Sequence, residues 1–137
     1  MNGNRALIDT SILVYAWNAG DKIKQRKAIE VLEQYKDRAC LSIQNISEFS
    51  AVMLRNGCDP QWLGGVISLY ERLMTVLPFS VHDARQALRA VQQYRMSYWD
   101  AQIWSAAKTN GIPIILSDNG PTGQTIEGVT YTNPLQS

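Results

Sequence analysis

Four acidic residues fall where a fold would leave their side chains free for chemistry. Asp9 follows the apolar run Ala6-Leu7-Ile8, and Asp118 follows a run that ends in Leu116-Ser117. Glu48 and Asp100 each sit in the first turn of a helical pattern, three residues after Asn45 and Ser97. Each acid also has a purely structural reading. Asp9 could cap the helix that follows it, Glu48 and Asp100 could close capping boxes with Asn45 and Ser97, and Asp118 precedes an ordinary turn cluster. The joint arrangement points further, because four acids stand at the ends of four elements. Carboxylates crowded into one pocket raise each other's pKa, and a divalent cation relieves that repulsion. Oxygen donors without thiolate or imidazole suit Mg²⁺ or Mn²⁺. Such ions polarise phosphoryl groups, activate water and stabilise leaving oxygens, which is the chemistry of phosphodiester hydrolysis.

Short strands alternating with helices must position these acids. Strand-like runs fall at 6–8, 39–43, 75–79 and 112–117, and a further run at 129–131 is expected as an edge strand. A short helix capped by Thr10 or Ser11 carries Ile12, Leu13 and Tyr15. Ala28, Val31, Leu32 and Tyr35 repeat at helical spacing. A helix over 45–55 ends at Asn56-Gly57, and Asp59-Pro60 opens the next with a cap and an N1 proline. Ser80-Val81-His82-Asp83 forms a capping-box pattern, and a last helix starts near Ser97 and stops at Asn110-Gly111. This alternation predicts an α/β fold, with a central, mainly parallel sheet of four to five short strands and helices on both faces. Ligands of such sheets bind beyond the carboxyl ends of the strands, where Asp9 and Asp118 stand.

Composition sets the outer bounds. The 137 residues, 45% hydrophobic and 18% charged, fit one globular domain over 1–137. A net charge of +1 gives no strong overall field, so any nucleic-acid contact must be local. One histidine, His82, excludes paired-histidine chemistry. Cys40 and Cys58 fit neither a zinc ribbon nor a disulfide framework. No targeting segment is evident, and the apolar runs are far short of the ~20 residues of a membrane helix. A cytoplasmic protein without membrane contact is therefore the expectation.

With these residues in place, the sequence resembles the PIN-domain ribonucleases, in particular VapC-type toxins of toxin–antitoxin pairs. The resemblance is carried by Ala6 to Tyr15, Ile43-Gln44-Asn45-Ile46-Ser47-Glu48-Phe49, Met96 to Ile103, Ile115-Leu116-Ser117-Asp118 and the tail Ile126 to Pro134. It covers essentially the whole chain and implies a PIN-like three-layer fold and a metal-dependent endoribonuclease. Asp9, Glu48 and Asp100 fall on the family's acidic positions, and Thr10 or Ser11 on a supporting hydroxyl position. The resemblance also implies Mg²⁺ or Mn²⁺, an RNA substrate, a small antitoxin protein and a homodimer. Related sequences often carry an acidic pair after the last strand's serine. Here Asp118 is followed by Asn119, so either Asp118 fills the fourth acidic position or Asn119 replaces it.

Arg85 and Arg89 share a helix face that could hold phosphates, and Trp99, beside Asp100, is the best candidate for base stacking. Burial or an interface is the competing role for Trp17, Trp62, Trp99 and Trp104. Asp9-Thr10 also resembles the haloacid-dehalogenase motif, but Ser11 stands where that motif needs a second aspartate. A response-regulator domain would need a lysine after its last strand, and 112–119 contains none. A PIN-like binding or regulatory module with weak or lost activity is the remaining alternative, made thinkable by Asn119.

Overall fold

Three-residue strands can be held in a core only if both of their faces are covered. In the computed structural model, which describes residues 4–136, this is how the sheet is built. The elements run β1 (Ala6–Ile8), α1 (Thr10–Ala16), α2 (Lys22–Gln34), β2 (Ala39–Ser42), α3 (Ile43–Arg55), α4 (Pro60–Leu73), β3 (Thr75–Leu77), α5 (Val81–Tyr94), α6 (Tyr98–Thr109), β4 (Ile114–Leu116), β5 (Thr125–Ile126) and β6 (Val129–Thr132). The sheet order is β3-β2-β1-β4-β6-β5, parallel throughout except for β5.

Side chains alternate along each strand and feed two cores. Ala6, Ile8, Ala39, Leu41 and Leu116 pack with Ile12, Leu13, Ala28, Val31, Phe49, Leu63 and Tyr70 from α1 to α4. Leu7, Cys40 and Ile115 point the other way, against Ala87, Ala90, Ile103, Trp104 and Ala107 of α5 and α6. The result is three layers, helix–sheet–helix, as the PIN-like expectation has it. The chain leaves β1 on one side toward β2 and returns to its other side as β4. That reversal places the sheet's topological switch point between β1 and β4, with Ile8 opposite Leu116.

The structure departs from the sequence reading in three places. Six strands are present among the described residues, not four to five, because β5 adds a two-residue antiparallel partner. The run at 129–131 is therefore an inner strand, β6, and β5 forms the edge. The third helix starts at Ile43 rather than at residue 45. Ser42, the last residue of β2, is its cap, and Asn45 supplies the reciprocal bond of the capping box. Asp9, and neither Thr10 nor Ser11, caps α1. The Ser80–Asp83 capping box, Pro60 at the start of α4 and the Asn110 cap before Gly111 follow the sequence reading. No helix among the described residues is long and apolar enough to cross a membrane.

Candidate active site

Asp9 sits at the switch point because β1 ends there and α1 needs a cap. One carboxylate oxygen accepts the Thr10 N–H at 2.8 Å, and the other accepts the Ser117 hydroxyl at 2.7 Å, from beyond β4. The residue is only 7% exposed. Burial pushes its carboxyl up to about 6. The Ser117 and Thr10 bonds oppose the rise, while the charges of Asp100 and Glu48 add to it. A carboxyl so perturbed at the carboxyl end of a sheet strand makes Asp9 a candidate functional group as well as the α1 cap.

Two neighbouring acids are left free by the way their helices start. Because Ser42 and Asn45 close the box on α3, Glu48 falls in the second turn, not the first, and has no capping duty. Ser97 accepts the Asp100 N–H at 3.2 Å and so caps α6. Asp83 shows the contrast: in the same position of α5, its carboxylate is spent on Ser80 and Thr109. Asp9, Glu48 and Asp100, from three separate elements, line one cavity of about 250 Å³ together with Thr10, Ser11 and Asn119.

Buried polar contacts fix these elements against one another. Asn45 is fully buried, accepts from the Ser42 backbone and hydroxyl, and donates to the Thr10 hydroxyl at 3.2 Å. It therefore keys the start of α3, and with it Glu48, to the turn that carries Asp9. The Ser11 hydroxyl accepts the Asp118 N–H at 3.2 Å, tying α1 to the loop after β4. The sequence reading did not single out Asn45 or Ser117 as site residues. The signal available for Asn45 was a polar side chain among the inward positions of an amphipathic helix.

Asp118 is not brought into the cavity. Its carboxylate accepts from Lys24 at 3.2 Å and from Asn133 at 3.2 Å. Burial alone would raise its pKa, but the bonds from Lys24, Tyr15 and Asn133 outweigh it and hold the carboxyl below the ordinary range. Asn119 faces the cavity in its place, its amide oxygen 3.0 Å from the Ser117 hydroxyl. The site thus holds three carboxylates and one amide.

That donor set is hard oxygen throughout, which suits Mg²⁺ or Mn²⁺. Among the described residues, no three His, Cys, Asp or Glu side chains stand together as a ready-made metal centre. Mg²⁺ seldom needs one, since it is commonly held by one or two carboxylates, with water and substrate phosphates completing the shell. The residues present fit such an ion.

Other sequence candidates lie elsewhere. Arg89 makes a two-pronged ion pair with Glu127, at 3.0 and 3.1 Å, joined by Tyr94 and Lys108, so it is committed to the β5–β6 turn rather than the acidic cavity. Trp104 is fully buried, and Trp17 and Trp62 meet edge to face at 5.1 Å. Trp99 stays half-exposed beside Asp100. A larger cavity, about 470 Å³, lies between α2 and α4, with Trp17, Leu32 and Tyr70 among its walls. It lacks the clustered polar groups that catalysis needs.

Residues 6–121 match the PIN domain family, and the chain belongs to it. No curated protein matches the chain in sequence. Solved structures share its fold. VapC20 of Mycobacterium tuberculosis, a sarcin-ricin-loop-cleaving toxin, is similar with a TM-score of 0.74 at 17% identity, over 89% of this chain and 97% of that one. A toxin–antitoxin complex from Klebsiella pneumoniae contains a chain similar at a TM-score of 0.71 and 19% identity, over 94% and 97%. A DNA-bound VapBC from Salmonella typhimurium gives 0.70 and 15%, over 95% and 98%.

Proposed function

We propose that this PIN domain is a Mg²⁺- or Mn²⁺-dependent endoribonuclease, acting as the toxin of a toxin–antitoxin pair. The observation that carries the reading is the cavity itself: Asp9, Glu48 and Asp100 meet there from three elements, with Asp9 held at about 6. A structural cap would not need the other two acids.

Asp9 and Asp100 would hold the cation, and Asn119 could add a neutral amide oxygen. When bound, such an ion neutralises phosphate charge and acidifies water for attack on phosphorus. The protein's own groups prepare that event. Ser117 and the Thr10 N–H lock both oxygens of Asp9, so its carboxylate is already oriented. Glu48, free of capping, would accept a proton from the attacking water. Asn45 sets the distance between the elements that carry them. Half-exposed Trp99 offers an aromatic face to an unpaired base next to Asp100.

The neighbours' descriptions support this biological setting: one is a toxin and another a toxin–antitoxin complex. We assign this chain the same kind of partner, a small antitoxin protein, with homodimerisation as the working assembly. Exposed Val81 and Leu88 on α5 supply apolar surface for assembly. A binding or regulatory module is the second reading, favoured by Asn119 standing where a fourth acid could be.

The test is cleavage of a mixed RNA pool. Activity with Mg²⁺ or Mn²⁺ that is lost with EDTA, and lost in Asp9→Asn and Asp100→Asn, supports the nuclease. Binding of RNA without cleavage under any metal supports the regulatory module.

A further inference from the structure

Tyr131 is an unusual residue to find beneath an acidic site. It lies on β6, next to β4 in the sheet, and is 5% exposed. Its hydroxyl has no hydrogen-bond partner among the described residues. No fully buried polar side-chain atom among the described residues lacks a partner, so this hydroxyl, on an otherwise buried ring, keeps access to water. Tyr131 lines a small cavity of about 10 Å³ whose other polar walls are Asp9, Asp100 and Ser117. That is room for about one water molecule.

The acceptors in this cavity are not equivalent. Both oxygens of Asp9 are engaged, by Thr10 and Ser117. The Asp100 carboxylate has no hydrogen-bond donor among the described residues; only its backbone N–H is engaged, by Ser97. Tyr131 and Asp100 thus border the same small space, and the Asp100 charge acts on the Tyr131 phenol. Burial, and then the charges of Asp100 and Asp9, push the phenol far above its ordinary range, so the proton stays on the hydroxyl.

The ring is also held in place. A Cβ on Gly120 would lie 2.7 Å from Tyr131 Cδ2 and 3.1 Å from Cε2. The loop that carries Asn119 therefore lies directly on the ring, and only glycine permits the approach. A side chain pinned this way makes a precise donor at little entropic cost.

We propose that Tyr131 is a positioning residue of the acidic site, whose hydroxyl donates to the Asp100 carboxylate through one water and fixes that carboxylate for a divalent cation. This rests on the metal-dependent reading given above. Asp100 is otherwise an exposed side chain in the first turn of α6, with no hydrogen bond to its carboxylate among the described residues. Partners that orient a ligand commonly change metal affinity by about tenfold or more.

The discriminating variant is Tyr131→Phe, which keeps the ring and removes one oxygen. Mn²⁺ affinity is measured by calorimetry on the metal-stripped chain, alongside thermal unfolding and RNA cleavage over a Mn²⁺ titration. The expected result is about tenfold weaker Mn²⁺ binding, an unfolding midpoint close to wild type, and cleavage restored by excess Mn²⁺. Unchanged Mn²⁺ affinity in Tyr131→Phe, with wild type binding normally, overturns the role of Tyr131 and leaves the nuclease reading intact. A large fall in stability in Tyr131→Phe, with affinity unchanged, assigns the hydroxyl to the core and also overturns it. Wild-type protein that binds no Mn²⁺ overturns both.

Discussion

Replacing Asp9 by Asn should stabilise the metal-free protein, and only above a certain pH. Asp9 titrates near 6 in the folded chain against an ordinary 3.8. At about 1.36 kcal/mol per pH unit, that gap means that keeping Asp9 ionised costs folding about 3 kcal/mol at pH 7. The sign follows from the raised value: below about pH 4 the group is protonated in both states and the cost is absent. It grows as pH rises from 4 to 6 and is fully present above 6. Asn removes the charge and keeps the geometry. Its oxygen can still accept the Thr10 N–H, and its amide can donate to Ser117, whose own proton then turns to Asn119, 3.0 Å away. The expected gain is about 2–3 kcal/mol at pH 7, fading to zero near pH 4. The assay is urea unfolding in EDTA across pH 4 to 8, for wild type and Asp9→Asn. A variant that is less stable at every pH, or a gain as large at pH 4 as at pH 7, refutes the reasoning and makes Asp9 an ordinary cap. RNA cleavage by the same variant should be mostly lost.

Three further outcomes follow from the same geometry. Asn119→Asp adds a fourth carboxylate to the cavity, so it should destabilise the EDTA-treated protein at pH 7 and increase its stabilisation by added Mn²⁺, read as the shift in unfolding midpoint. Gly120→Ala drives a methyl group into the Tyr131 ring and should cost about 1–3 kcal/mol in chemical denaturation; an unchanged midpoint would mean that the loop yields freely. Asn45→Ala leaves the Ser42 N–H without its acceptor and the Thr10 hydroxyl without its donor. Stability should fall by about 2 kcal/mol and RNA cleavage more than stability alone explains, since Glu48 loses its register to Asp9; cleavage at the wild-type rate would separate the two.

Much of this architecture is legible in the sequence because its signals are local. The apolar run before Asp9, the Asp59-Pro60 start of α4 and the Ser80–Asp83 box each declare themselves within a few residues. The start of α3 is less legible because Ser42 serves twice, as the last strand residue and as the cap, which leaves no loop to mark the change. β5 is hidden by its length. Two residues carry no periodicity, and its turn uses Glu127-Gly128, both at positive φ (50° and 88°), where asparagine or aspartate before the glycine would have been the familiar sign.

The site divides along the same line. Asp9 and Asp100 are legible from their places at element ends, whereas Glu48, read as a first-turn residue, stands a turn further into α3; the fold brings all three to one cavity. Whether Asp118 or Asn119 faces it is not a local property. It is decided by Lys24, from α2, and Asn133, after β6, which capture the Asp118 carboxylate from residues far away in the chain. Tyr131 is invisible for the same reason: on β6 its type reads as a core aromatic, and only the packing of Gly120 and α6 turns it toward the acids. Arg89 fails as a phosphate contact because Glu127, 38 residues on, claims it.

The most direct test of the central claim is anomalous scattering from crystals of the protein grown or soaked with Mn²⁺. A Mn²⁺ peak in the cavity between Asp9, Glu48 and Asp100, absent in Asp9→Asn, is the result this account predicts. Mn²⁺ bound only elsewhere, with the three carboxylates pointing apart around an empty cavity, would contradict it.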